Sequence, residues 1–168
     1  MLEEPGSPLM TVVDYPACLR DLIESEIFGE SVSLALLEVA RTERDRYHFA
    51  TLLQLETETK ARLRPLLYKH GVPLSETVPS DQVGEVVQGY LNNSWETFAA
   101  ANKVGVEGFL QRFREIAEAG PEEDRQMLES MIRHESAILR WFDMESRGET
   151  EGSLDAIIAE LQYPLPAG

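Results

Sequence analysis

The sequence predicts an all-α protein: four long helices packed as two antiparallel hairpins, a long crossover between the hairpins, and a short helix at the C-terminal end. Glycine and proline group at residues 5–8, 71–79, 120–121, 148–152 and 164–168, and the stretches between these groups are rich in helix formers. Within each stretch the apolar residues recur at helical spacing. A chain of 168 residues with 43% hydrophobic content suits one domain with a buried core.

Residues 1–13 read as an N-terminal extension to a four-helix bundle over residues 14–148. Asp14 and Tyr15 cap the first helix, residues 16–41, with Pro16 in its first turn, where a missing N–H costs nothing. No glycine or proline group separates this helix from the next, but the hydrophobic phase does. At about 100° per residue, Leu19, Ile23, Leu34 and Leu37 share one face, whereas Phe49, Leu53, Leu63 and Leu67 share a face rotated by one residue step. A break at residues 41–44 accounts for the rotation. Thr42 followed by Asp45 caps the second helix, residues 43–70, and Gly71-Val72-Pro73 ends it.

Residues 72–93 carry turn residues and one short amphipathic piece around 83–91. They read as a crossover, since a bundle hairpin needs only about 2–8 residues. The third helix, 94–119, starts at Asn93-Ser94, with Glu96 at box spacing from Asn93. Gly120-Pro121 opens the fourth, 121–147, with Glu122, Glu123 and Asp124 at its positive end, and Gly148 stops it. Residues 149–168 supply a short helix capped by Ser153 and an apolar tail from Tyr163 onward.

The charge balance excludes several classes of partner. Fifteen Lys and Arg face 30 Asp and Glu, a net charge of -15, which repels nucleic-acid phosphates and anionic membrane surfaces. Cys18 is the single cysteine, so no internal disulfide forms and cysteine-rich zinc sites are ruled out. The N-terminus lacks a basic start and apolar run, and no stretch is apolar long enough for a bilayer, so the expected location is cytoplasmic. No nucleophile–base pair or phosphate loop supports a hydrolase or kinase reading.

Polar residues in the centre of an apolar stripe mark the candidate site, because a lone charge does not belong there. On the first helix Glu26 and Glu30 fall in line with Leu19, Ile23, Leu34 and Leu37. On the second, Glu56 lies among Leu52, Leu53, Leu63 and Leu67, with Thr59 and Lys60 one turn on. On the fourth, Glu135 is centred among Leu128, Met131, Ile132, Leu139 and Phe142. The third helix's stripe of Trp95, Phe98, Ala99, Val106, Phe109, Phe113 and Ile116 holds one polar member, Asn102. Counted from the break near Thr42, Glu26, Glu30 and Glu56 stand at one height, and Glu135 sits midway along its own helix, so the four carboxylates share a layer. Together they cannot all stay ionised without compensation by Lys60, protons, water or a metal ion. Oxygen-rich sites suit hard cations such as iron or manganese.

The segments Leu55-Glu56-Thr57-Glu58-Thr59-Lys60 and His134-Glu135-Ser136-Ala137-Ile138, both mid-helix, resemble the carboxylate-bridged di-iron proteins of the ferritin-like superfamily over residues 14–148. The resemblance implies a ferritin-like bundle, iron or manganese as cofactor, redox or metal-handling chemistry, and Glu26 or Glu30, Glu56 and Glu135 as ligands. The family's two Glu-x-x-His motifs are not intact, since Thr59 and Ile138 stand where the histidines would be. His134, about 100° from Glu135, either reaches inward as a ligand or bonds a neighbouring helix from the boundary. Glu107 points about 120° away from its stripe. His48 and His70, nearer the ends of the second helix, are expected in solvent. Three readings stay open: a metal centre, a metal-free network of the glutamates with Lys60 and Asn102 in a non-enzymatic dimer, and a small cationic or polar ligand in the bundle centre.

The first helix carries a second apolar line, Phe28, Val32, Ala35 and Val39. The crossover, the tail or another subunit must cover it, and a homodimer through this helix is the expectation. Gly105 and Gly108 are read as permitting close helix approach.

Overall fold

The computed structural model describes residues 14–164; the expected extension at 1–13 and the last four residues of the tail lie outside them. The described residues form α1 (Tyr15–Glu38), α2 (Glu43–Lys69), α3 (Ser80–Asn92), α4 (Trp95–Ala119), a 3-10 turn (Glu122–Asp124), α5 (Arg125–Ser146) and α6 (Asp155–Glu160). None of these helices is long and apolar enough to cross a membrane.

The caps are those of the sequence, with two changes. Asp14 accepts from the Ala17 amide and Thr42 from the Asp45 amide. Gly71 and Gly148 take φ of 67° and 73°, the left-handed turn that ends a helix and that a Cβ disfavours. At the start of α4 the cap is Ser94, accepting from the Thr97 amide, while Asn93 bonds back to the Gly89 carbonyl. Ser153 does not cap α6; its hydroxyl donates to Glu145, and Leu154 stands at the N-cap. α2 runs on through Pro65, an interior proline that costs about 3 kcal/mol and is held there by the burial of Leu63, Leu66 and Leu67 around it.

Helix directions follow from which residues meet. The four residues 39–42 turn the chain back, so α1 and α2 are antiparallel. α4 and α5 are antiparallel too, with Lys103 on Asp143 and Phe98 on Phe142. Tyr15 meets Asp124 and Glu26 meets His134, so α1 and α5 run the same way. The crossover therefore traverses the long axis, and α4 runs parallel to α2. The amphipathic piece within it is longer than expected: α3 packs along α1, with Val86 and Val87 joining Val32 and Val39 against the core. Of the three covers considered for the second line of α1, the crossover lies there. Tyr90, fully buried, fastens α3 by donating to Asp45 and accepting from the Arg41 amide at 2.8 Å. Of the tail, Leu161 is buried and Tyr163 stands in solvent, its amide and that of Gln162 bonding Glu58.

Two apolar clusters fill the interior. One gathers Phe49, Phe98, Trp141, Phe142 and Ile157; the other gathers Leu19, Leu22, Leu63, Phe113, Ile116 and Leu128. On α2 and α5 the changeover between clusters falls at Glu56 and Glu135, which places the polar layer between the two halves of the core.

Three expectations about helix faces are corrected. The inward line of α1 steps by threes and fours through Leu22, Glu26, Gly29, Ser33 and Leu36, whereas repeated steps of four drift off it by about 40° each. Leu34 is consequently 48% exposed, and the buried residue at that level is Ser33. On α4 Phe109 is 36% exposed, and its neighbour Leu110 is buried. Gly105 and Gly108 permit no close approach within the described residues, because a Cβ at either position would meet none of their atoms within 4 Å. Glycine in an open helix interior is costly in entropy, so Gly105→Ala is expected to stabilise the fold by about 0.5–1 kcal/mol. Urea unfolding checks this; destabilisation would mean that a neighbour approaches α4 there after all.

Candidate metal centre

Four side chains from three helices converge in the polar layer. α1 brings Glu26, α2 brings Glu56, and α5 brings the adjacent pair His134 and Glu135; all four are buried. The His134 Nε2 lies 3.4 Å from Glu26 Oε2, 3.4 Å from Glu56 Oε2 and 3.8 Å from Glu135 Oε2. These separations exceed the 2.7–3.2 Å of ordinary N–H···O bonds. Accordingly, among the described residues, His134 Nε2 and Glu26 Oε2 are buried without a hydrogen-bond partner. Such orphaned atoms are costly and rare in a folded protein.

Among the described residues, Glu26, Glu56 and His134 are the group whose donor atoms, all within 4.8 Å of one another, suit a shared cation. The spacing fits. Two ligands bound about 2.1 Å from one ion at a tetrahedral angle stand about 3.4 Å apart. The supporting contacts fit as well. Thr59 Oγ1 lies 3.1 Å from His134 Nδ1, so a Nδ1–H bonded to Thr59 holds the ring with Nε2 facing the carboxylates, the outer-shell arrangement usual for a ligating histidine. The Glu56 carboxyl rests on the bare backbone of Gly29: a Cβ there would stand 2.5 Å from its Cδ.

Burial and mutual repulsion load this cluster with protons. Burial, reinforced by Glu56 and Glu135 against the pull of His134, raises Glu26 well above the usual carboxylate range. Burial first, then Glu56, pushes Glu135 up to about 8. Burial by itself would lower the His134 imidazole, but the Glu26 and Glu56 carboxylates outweigh it and push it up to about 10. Glu26, His134 and Glu135 titrate as a set.

Of the sequence candidates, Glu26, Glu56, Glu135 and His134 come together, with Thr59 behind the histidine. The others do not. Glu30, at the margin of the inward line, accepts from Thr57 Oγ1 at 2.7 Å and from the Lys60 ammonium. Lys60, buried, is held by Glu30 and by Glu76 at 3.0 Å, away from the cluster. Asn102 donates to the Phe98 carbonyl and lines a cavity shared with Glu26, Glu56 and Glu135. His134 is both boundary and centre: Nδ1 meets a neighbouring helix and Nε2 reaches inward. The expectation of solvation fails for His48, while His70 stays partly exposed. His48 is buried and accepts from Trp141 Nε1 at 3.0 Å, and burial, with Arg44 nearby, lowers it to about 4. His70 lies 2.6 Å from Asp124, which also takes Tyr15 and Lys69.

Another buried carboxylate escaped the sequence reading. Glu145 is fully buried and accepts from Arg44 and Trp95, each at 2.5 Å, and from Ser153. The signal was present, since Glu145 continues the α5 stripe one turn past Phe142. Its partners are all supplied, so it ties α6 to the main helices. Comparison with protein-family models, curated proteins and solved structures finds no match to this chain.

Proposed function

We propose that this chain is a divergent ferritin-like protein that binds one ion of iron or manganese through Glu26, Glu56, His134 and Glu135, for redox or metal-handling chemistry. The observation that carries the reading is the pair of buried, unpartnered donor atoms, Glu26 Oε2 and His134 Nε2, standing 3.4 Å apart. The ferritin-like assignment is supported by two antiparallel hairpins and a crossover that leaves α2 and α4 parallel. One ion, rather than the pair usual in that superfamily, suits the donor set, because Glu30 is engaged by Thr57 and Lys60.

A bound ion of this kind supplies Lewis-acid and one-electron redox chemistry. The chain's own residues do the rest. Thr59 orients the imidazole, Gly29 admits the Glu56 carboxyl, and the two apolar clusters keep bulk water from the layer. Glu135, with its raised pKa, holds a proton at neutral pH and gives it up when a cation arrives.

A second reading, a metal-free network that specifies helix register, draws on the raised His134 pKa: an imidazolium facing Glu26 and Glu56 offsets their charge without a metal. Metal analysis of protein purified without chelators and reloaded with Fe(II) or Mn(II) separates the two. The metal reading expects one ion per chain, lost in both Glu56→Ala and Glu135→Ala. A protein that takes no metal and is stabilised by either substitution would establish the network instead.

A further inference from the structure

A groove of about 290 Å³ lies between α2 and α5, lined by Arg62, Gln126, Met127, Ser130 and Arg133. At helical spacing the last four share one face of α5, and Arg62 meets them from α2. Ser130 is buried at the base, its hydroxyl donated to the Met127 carbonyl at 2.7 Å, while Gln126 and Arg133 stand exposed at the rim. Among the described residues no carboxylate lines the groove.

Both guanidiniums are short of acceptors. Arg62 donates from Nη2 to Thr59 at 3.0 Å, but its Nε is buried with no hydrogen-bond partner among the described residues. Glu58, one turn before it, directs its oxygens to the Gln54 side chain and to the amides of Gln162 and Tyr163. Arg133 Nε stands 3.6 Å from Glu160, beyond hydrogen-bond range. Elsewhere on the surface Arg112 is closed off by Asp21 and Arg125 by Glu122. In a chain with 30 acidic residues to 15 basic ones, two guanidiniums bordering one space without a carboxylate between them are the departure.

We infer that this groove binds a phosphate group, free or carried on a small organic molecule. The planar fork of an arginine matches phosphate oxygens, and two such forks balance the charge of a phosphate dianion. A carboxylate, with one charge and two oxygens in a plane, satisfies one guanidinium and leaves the other unmatched. Drug-sized ligands occupy about 300–1,000 Å³, so the space suits a phosphate with a small substituent. The net charge of -15 selects against polyanions, because a nucleic acid or an anionic membrane meets the whole acidic surface whereas a small ion meets only the groove. The inference goes beyond the metal-centre reading and does not rest on it.

The probe is inorganic phosphate, added to chelator-treated protein so that no bound ion can recruit it, and followed by 31P and 15N NMR. Sodium chloride at about 0.1 M screens charges farther than about 10 Å away, which leaves the local pair to act. Saturable binding in the millimolar range or tighter is expected, with amide shifts centred on residues 62 and 126–133. Arg62→Gln and Arg133→Gln should each weaken it about tenfold, and Arg140→Gln, which removes an exposed guanidinium elsewhere on α5, should not. The Arg133 side chain is 54% exposed, so its variant keeps the test open if Arg62→Gln does not fold. Glycerol phosphate binding more tightly than inorganic phosphate would assign the groove to a phosphate ester, and the reverse order to the free ion. Absence of saturation, binding that ignores both groove substitutions, or equal binding of acetate overturns the inference.

Discussion

Gly29→Ala is expected to empty the metal centre while leaving the helices folded. The alanine methyl would stand 2.5 Å from the Glu56 Cδ and Oε1 and 2.7 Å from its Oε2, closer than real Cβ contacts allow. The backbone of α1 is fixed by its packing on α2, so the flexible end of Glu56 is what moves. Alanine is also the better helix former by about 1 kcal/mol, which offsets part of the crowding. Metal affinity should fall about 10- to 100-fold, the range seen when the support of a ligand is removed, while the unfolding temperature shifts by a few degrees. Titration with Mn(II) beside thermal unfolding of the same sample reads both quantities. Full affinity in Gly29→Ala would show that Glu56 is not a ligand in this position.

Metal-free and metal-loaded protein are expected to respond to pH with opposite sign. In the metal-free fold Glu135 is raised from an ordinary 4.5 to about 8 and His134 from 6.5 to about 10, and Glu26 is raised as well. Each of these groups binds its proton more tightly folded than unfolded. Its contribution is therefore complete below the unfolded pKa and disappears as pH climbs through the folded one. Stability without metal should decline from about pH 5 toward pH 10, and Glu135→Gln, which cannot ionise, should flatten the part of the decline below pH 8. With metal present the same protons compete with the ion, so affinity rises with pH by up to about tenfold per unit for each proton displaced, and metal-loaded stability follows it upward. Unfolding temperatures at pH 5.5, 7 and 8.5, with chelator and with Mn(II), give the two slopes. Parallel slopes would mean that the ion does not bind at these groups.

How much of this was legible from residues alone varies with the distance over which each feature is decided. Thr42 with Asp45, Gly71 and Gly148 set helix ends through bonds and backbone angles within a few positions, so the order of the long helices and the crossover follows from sequence. The common height of Glu26, Glu56 and Glu135 follows too, because rise per residue is uniform and the break near Thr42 sets the origin. The exact face is harder. A 40° error per misread step separates Glu26 and Ser33 from Glu30 and Leu34, and only packing against α2 and α5 settles which line turns inward. Thus Glu30 left the centre for Thr57 and Lys60, and Gly29 entered the argument as the seat of Glu56.

The sequence by itself determined an acidic, all-helical chain with carboxylates in one layer, because composition, caps and hydrophobic period are local quantities. Only the tertiary structure decided that His134 stands among three glutamates, that Lys60 does not, that His48 is buried against Trp141, and that a cavity opens beside the carboxyls. Each of those depends on which side chains from different helices meet at one height, and no spacing along a single helix contains that information.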